Sequence, residues 1–157
     1  MSIANKKELE KCLDEVIRPF GFVKRRSTWH RKTLETVLVL DLQKFDYAGR
    51  YFVNLGVSVR GLSDDEYPPE EKCHLRTRLD RIYAERESVL RAFDLENTEF
   101  SSEEREPQIK QFIILGMNWL DTLSSVQAIA EQVKDSQFLR NRTTVQLKRF
   151  LNINSGS

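Results

Sequence analysis

The residues of this chain best suited to chemistry are cations set among a few aromatic rings. Lys24, Arg25, Arg26, His30, Arg31 and Lys32 crowd one short stretch around Trp29. Further along, Arg76 and Arg78 stand two residues apart, which puts both on one face if Cys73–Leu79 is extended. Guanidinium planes beside an indole can hold a phosphate, a carboxylate or a nucleobase. With Lys44, at the end of an apolar run, Trp29, Arg31, Arg76 and Arg78 make up the candidate ligand-binding set. The competing reading pairs these cations with the chain's own acids, such as Glu66, Glu70, Asp80 and Glu85, from a pool of 24.

A second constellation is acidic. Asp64, Asp65, Glu66, Glu70 and Glu71 gather around Pro68-Pro69, which stiffens a loop expected to be exposed, and Asp94–Glu106 is a second such stretch. Acids of this kind can cover a cationic site on a protein partner, with steering that speeds capture. The plainer reading is a solvated loop. The five acids from Asp64 to Glu71 are the candidate partner-binding residues.

Other chemistry finds little support. The chain has no Gly-rich phosphate loop, no Gly-x-Ser-x-Gly elbow and no His-Glu-x-x-His helix. Cys73-His74 is the one Cys/His neighbour pair, and adjacent residues of a strand point to opposite faces, so they do not share a metal easily. Cys12 and Cys73 read as small buried hydrophobes. A thiolate nucleophile at Cys73, activated by His30 or Arg76, requires access that a core-facing strand position denies. Asp41 has no second acid in its strand for a two-metal cluster. No catalytic residue, no metal ligand and no cofactor is assigned.

The bulk composition sets the frame for these residues. A chain of 157 residues that is 39% hydrophobic, with six Gly and four Pro, is too apolar for disorder and fits one domain over residues 1–154 with a frayed 155–157 tail. Its 25 basic and 24 acidic side chains leave a net charge of +1, which argues against a general polyanion binder but leaves local patches standing. Met1–Glu8 turns charged at once and no run reaches the roughly 18 apolar residues of a membrane span. Two cysteines make no disulfide framework. A cytoplasmic protein without membrane association is expected.

The elements that must position the candidates follow from periodicity. Asn5 and Glu8 have the spacing of a helix cap, and Leu9, Cys12, Leu13, Val16 and Ile17 form one stripe of a helix over Lys6–Arg18, closed by Pro19 and Gly21. Phe22–Arg26 and Trp29–Lys32 read as strands. Thr36–Lys44 alternates, with Leu38, Leu40 and Leu42 on one face and Val37, Val39, Asp41 and Gln43 on the other. A hairpin loop over Phe45–Arg50, containing Asp46 and Gly49, leads into Tyr51–Val59, which alternates again. Cys73–Tyr83 matches both strand and helix spacing, with a strand from Cys73 preferred, and Leu90–Leu95 is read as a returning strand. After Pro107, Gln108–Leu123, Val126–Lys134 and Val145–Leu151 carry helical apolar spacing.

Several of these pieces resemble a known family. Gly21-Phe22-Val23-Lys24, Trp29-His30-Arg31, Leu42-Gln43-Lys44, Phe52–Val57, Cys73–Leu79 and Asn118-Trp119-Leu120-Asp121 follow one another in its order. The chain is similar in this way to the bacterial domain-of-unknown-function family 4304 over residues 9–133. The Asn-Leu-Gly-Val and Cys-His-x-Arg-x-Arg pieces carry most of the match. Members often have a Trp-Trp pair after the Cys-His segment; Arg81–Phe100 contains no tryptophan, so no role of that pair is carried over. The resemblance implies no established activity, and for some members a place in toxin–immunity or other conflict systems.

The expectation is an α+β domain: an N-terminal helix, an antiparallel sheet of four to five strands, and C-terminal helices on one face. The preferred function is a non-catalytic binding protein with a protein partner, such as a toxin or another conflict-system component. The alternative is a nucleotide-, phosphate- or nucleic-acid-binding module, with catalysis left open, that uses the Arg/Trp surface.

Overall fold

The computed structural model describes residues 3–45 and 49–153, so the expected Asp46 turn and the 155–157 tail lie outside the described residues. Helix α1 (Lys6–Ile17) starts where the cap spacing places it. The Asn5 side chain accepts the Glu8 N–H at 2.9 Å and donates to the Glu8 carboxylate at 2.9 Å. Its stripe of Leu9, Cys12, Leu13 and Ile17 is buried. The chain then turns through Gly21 at φ 89°, a left-handed conformation that glycine adopts without a Cβ clash.

Five strands follow: β1 (Val23–Arg25), β2 (Thr28–Lys32), β3 (Thr36–Phe45), β4 (Arg50–Val59) and β5 (Leu75–Arg78). They pair antiparallel in chain order as a meander. Leu38, Leu40 and Leu42 of β3 and Val53, Leu55 and Val57 of β4 face the helical layer and form its core with α1 and α3 (Ser102–Asp121). The remaining helices are α2 (Arg86–Ala92), α4 (Val126–Asp135), α5 (Gln137–Arg140) and α6 (Val145–Phe150). Among the described residues no helix is long and apolar enough to cross a membrane. The α+β arrangement with an N-terminal helix, a five-stranded antiparallel sheet and C-terminal helices is as expected.

Local boundaries depart from expectation for physical reasons. Leu90–Leu95 is not a strand. Val89, Ala92 and Phe93 are buried at helical spacing, so α2 forms, and Asp94 makes only a single bridge to Arg50. The ambiguous Cys73–Tyr83 stretch uses both patterns in turn. It is extended only over Leu75–Arg78 and then tightens into a 3₁₀ turn at Leu79–Arg81. Helix α3 begins six residues before Gln108 and runs through Pro107, capped by the Ser101 hydroxyl, which accepts the Glu104 N–H. Arg105 anchors that early turn. It is 3% exposed and donates to the carbonyls of Arg91, Ala92, Asp94 and Asn97 at 2.6–3.1 Å.

The second sheet face holds the larger departure. Gly61–Glu71, expected as an exposed acidic loop, and the two residues after it, where a strand was expected from Cys73, fold back over it as a strap spanning 61–73. Beneath the strap Val37, Val39 and Cys73 form a second small core. A Cβ on Gly56 would lie 2.8 Å from the Cys73 Sγ, so the strap reaches the sheet only because β4 has a glycine there. His30 Nε2 meets the Pro68 carbonyl at 2.8 Å, and His74 Nδ1 accepts the Val59 N–H at 2.9 Å. The Tyr67 ring lies against the Arg25 guanidinium at 3.6 Å and the Lys32 ammonium at 4.3 Å. Much of the basic hairpin thus binds the strap.

Two outcomes follow from the strap. Gly56→Ala forces Cys73 off the sheet, and the urea midpoint should fall by an amount equivalent to about 1–3 kcal/mol. An unchanged midpoint would show that the close approach carries no weight. Burial lowers the pKa of both His30 and His74 below the ordinary 6.5. The unfolded chain therefore takes up these protons first, and stability present above pH 6.5 is lost as the pH falls through that value toward the folded pKa values. Glu70, whose carboxyl is raised by burial, works in the opposite sense at lower pH. The histidine share is read by comparing wild type with His74→Asn between pH 7.5 and 5.5, the variant showing the shallower loss.

Candidate functional site

The strap covers only part of the second face. Beyond it β3 presents Asp41, Gln43 and Phe45, β4 presents Phe52 and Asn54, and β5 presents Arg76 and Arg78. Strand register fixes this set, since Asp41 stands opposite Asn54, and Asn54 opposite Arg78. The polar members bind one another: Thr28 donates to Asp41 at 2.7 Å, and the Asn54 amide donates to Gln43 at 2.9 Å and to Asp41 at 3.3 Å. Phe45 and Phe52 meet edge to face with ring centroids 5.1 Å apart. The Arg78 guanidinium lies 4.2 Å from the Phe52 centroid, and that of Arg50 lies 4.7 Å from Phe45.

Beside this face, along β5, is an open cleft of ≈ 540 Å³. Its charged lining is four arginines (Arg76, Arg78, Arg81 and Arg142) and one carboxylate, Glu70. Arg142 comes from the segment after α5, which the Leu75–Thr143 bridge lays against β5. Arg76 holds Glu70 with two bonds, at 3.0 and 3.2 Å. Arg78 donates to Asp80 at 3.1 Å, and Arg86 reaches the same buried carboxylate at 3.0 Å. Arg81 and Arg142 have no carboxylate partner among the described residues. Burial and the neighbouring Arg81 charge lower the pKa of Arg142. Among the described residues the Thr77 hydroxyl and Arg78 Nε are buried with no hydrogen-bond partner, and Thr77, paired with Leu55, stands on the helical side of β5.

The structure divides the residues singled out in the sequence. Arg76 and Arg78 share a face and line the cleft. Trp29 lies across from Leu40, Arg31 from Leu38, and Lys44 from Tyr51, so these three project to the helical side. Trp29 is 0% exposed, with its indole N–H on the Asp14 carboxylate at 3.0 Å. Arg31 binds Asp121 at 2.6 Å and the Phe20 carbonyl at 3.4 Å, and Lys44 is exposed at the end of the sheet. The five side chains expected on one surface thus stand on two.

The acids of the strap are divided as well. Asp64, Asp65, Glu66 and Glu71 are exposed, but Glu70 is 6% exposed beneath Arg76. Glu66 reaches Lys32 at 3.3 Å, and Asp65 accepts the Tyr67 N–H at 2.9 Å. Cys73 lies in the small core under the strap rather than with Leu75, and burial pushes its thiol pKa up strongly, away from nucleophilic use. Among the described residues no group of three His, Cys, Asp or Glu side chains is placed to hold a metal.

Arg81, Arg142, Asn54 and Phe52 were not singled out from sequence. The alternation of β4 does put Phe52 and Asn54 on its polar side, and that was the available signal. Arg81 and Arg142 are distant in the chain and meet only through the fold.

No curated protein and no solved structure is found to match the chain. The family model described as Domain of unknown function (DUF4304) matches residues 13–122, from within α1 to the end of α3. That span is well over half of the chain, and the protein belongs to the DUF4304 family.

Proposed function

We propose that this protein is a binding module whose ligand presents phosphate, or an equally compact anion, to the cleft beside β5. The observation that supports this reading is the convergence of Arg76, Arg78, Arg81 and Arg142 on one cleft whose single lining carboxylate is already held by Arg76. Like charges brought together in a concave surface repel one another and focus a positive potential, which an anion relieves. Guanidinium forks match phosphate oxygens in pairs, and the Asn141 amide adds a neutral donor. The net charge of +1 is compatible with this, because the cationic surplus is local.

A protein-partner role for the acidic strap has weaker support. Glu70, Glu66 and Asp65 are engaged within the domain, where they hold the strap's own conformation.

Inorganic pyrophosphate at low ionic strength is a direct probe. At a concentration a hundred times its Kd it should raise the melting temperature by about 5–10 °C. The double variant Arg81→Ala, Arg142→Ala should lose most of that rise while its ligand-free melting temperature stays near wild type. An absence of any pyrophosphate-dependent rise in the wild type would overturn the reading.

A further inference from the structure

The cleft beside β5 does not end at Arg78. A second cleft of ≈ 290 Å³ opens on the other side of that residue, between β4 and α2. Its lining includes Arg50, Arg78, Arg86 and Arg91, with Glu87 and Asp94 as its acids, and Phe52 lies in its wall. Each cleft has four arginines and Arg78 is common to both, so seven arginines line the pair. Between the two runs the uncovered sheet face. Phe52, in the second cleft, and Asn54, in the first, are two residues apart on one side of β4, a separation of about 7 Å.

From this continuity we infer that the ligand is a single-stranded nucleic acid lying along both clefts, an inference that rests on the anion-binding reading above. A compact anion needs one cleft; two clefts joined through a shared arginine suit a repeating anion. The aromatic pair between them gives the chain more than charge. Arg78 caps the Phe52 ring and Arg50 caps Phe45, which is 39% exposed, so each pair offers a flat cationic plane beside an aromatic one. Unpaired bases stack on such planes without regard to sequence, whereas bases closed inside a duplex do not present their faces. Gln43 and Asn54 lie on the same face and can bind base edges.

The polar surroundings define which cations remain for the strand. Arg76, Arg78, Arg86 and Arg91 each have a carboxylate within 4.0 Å, the last at 3.9 Å from Glu99. Arg50, Arg81 and Arg142 have none among the described residues, and they occur at both ends of the path. Phosphate contacts at both ends, with stacking between, are therefore expected to act together.

The test is fluorescence anisotropy with labelled ten-nucleotide single strands of DNA and RNA, beside a duplex of the same length and pyrophosphate as competitor. Binding is expected to weaken roughly fifty-fold between 50 and 200 mM salt, as for about four neutralised phosphates on a single strand. Phe52→Leu keeps apolar cover but removes the ring, and should weaken the single strand roughly ten-fold while leaving pyrophosphate binding unchanged. Arg50→Ala with Arg91→Ala should also weaken the strand and spare pyrophosphate. If these variants leave strand binding intact, or if the duplex binds as tightly, the extended path is wrong and the single anion cleft stands. Pyrophosphate binding without strand binding has the same meaning. If neither probe binds, both readings fall.

Discussion

A pleated strand sends alternate side chains to opposite sides, and β3 and β4 are buried on both sides for half their length or more. Residues Thr36–Leu40 are buried without a break, as are Val53–Val59. One layer of helices covers only one of those sides. The chain meets the second demand by folding residues 61–73 across the sheet, which seals Val37, Val39 and Cys73 and leaves the other half of that face uncovered. The location of the candidate site follows from where this cover stops. Gly56 sets the height of the strap over the sheet, and the Arg76–Glu70 pair stands at its edge, joining cover and cleft.

Electrostatics is organised in the same way. The near-equality of basic and acidic residues conceals two uses of charge. Some pairs are internal joints: Asp80 is 2% exposed and is bound by Arg78 and Arg86, so removing both would strand a buried charge. Arg105 does comparable work with neutral partners, collecting carbonyls from the end of α2 and the loop after it. Other cations, Arg81 and Arg142 in particular, line one cleft with no carboxylate partner among the described residues. The first kind explains how so polar a chain holds its shape. The second kind is what the anion-binding proposal rests on.

The meander and α1 were legible because long alternation and a capped apolar stripe are local signals. Arg76 and Arg78 were legible as a pair for the same reason. That Trp29 lies on the opposite side of the sheet from them was not, since residue type does not reveal facing; only register does, and register puts the indole across from Leu40 in the core. The strap had a signal that pointed to it. Valines at 37 and 39 on the supposedly outward side of β3, the second of them opposite a glycine in β4, are the marks of a face that something else covers. Leu90–Leu95 reads as a strand from sequence because a seven-residue helix offers too few turns to separate its period from a strand's. Arg81 and Arg142 had no local signal at all, because a long-range bridge to β5 brings them together.

The sulfur of Cys73 gives the strap an internal timer. It sits under the fold-back, 3.8 Å from the Pro69 carbonyl and against Gly56, so a thiol reagent reaches it only after the strap has lifted. Cys12, on the buried stripe of α1, is protected instead by the main core, where burial raises its pKa to about 11. The two alkylation rates therefore report different events: one measures how often the second face is uncovered, and the other how often the helical layer opens. Their ratio separates local opening from global unfolding within a single unmodified chain.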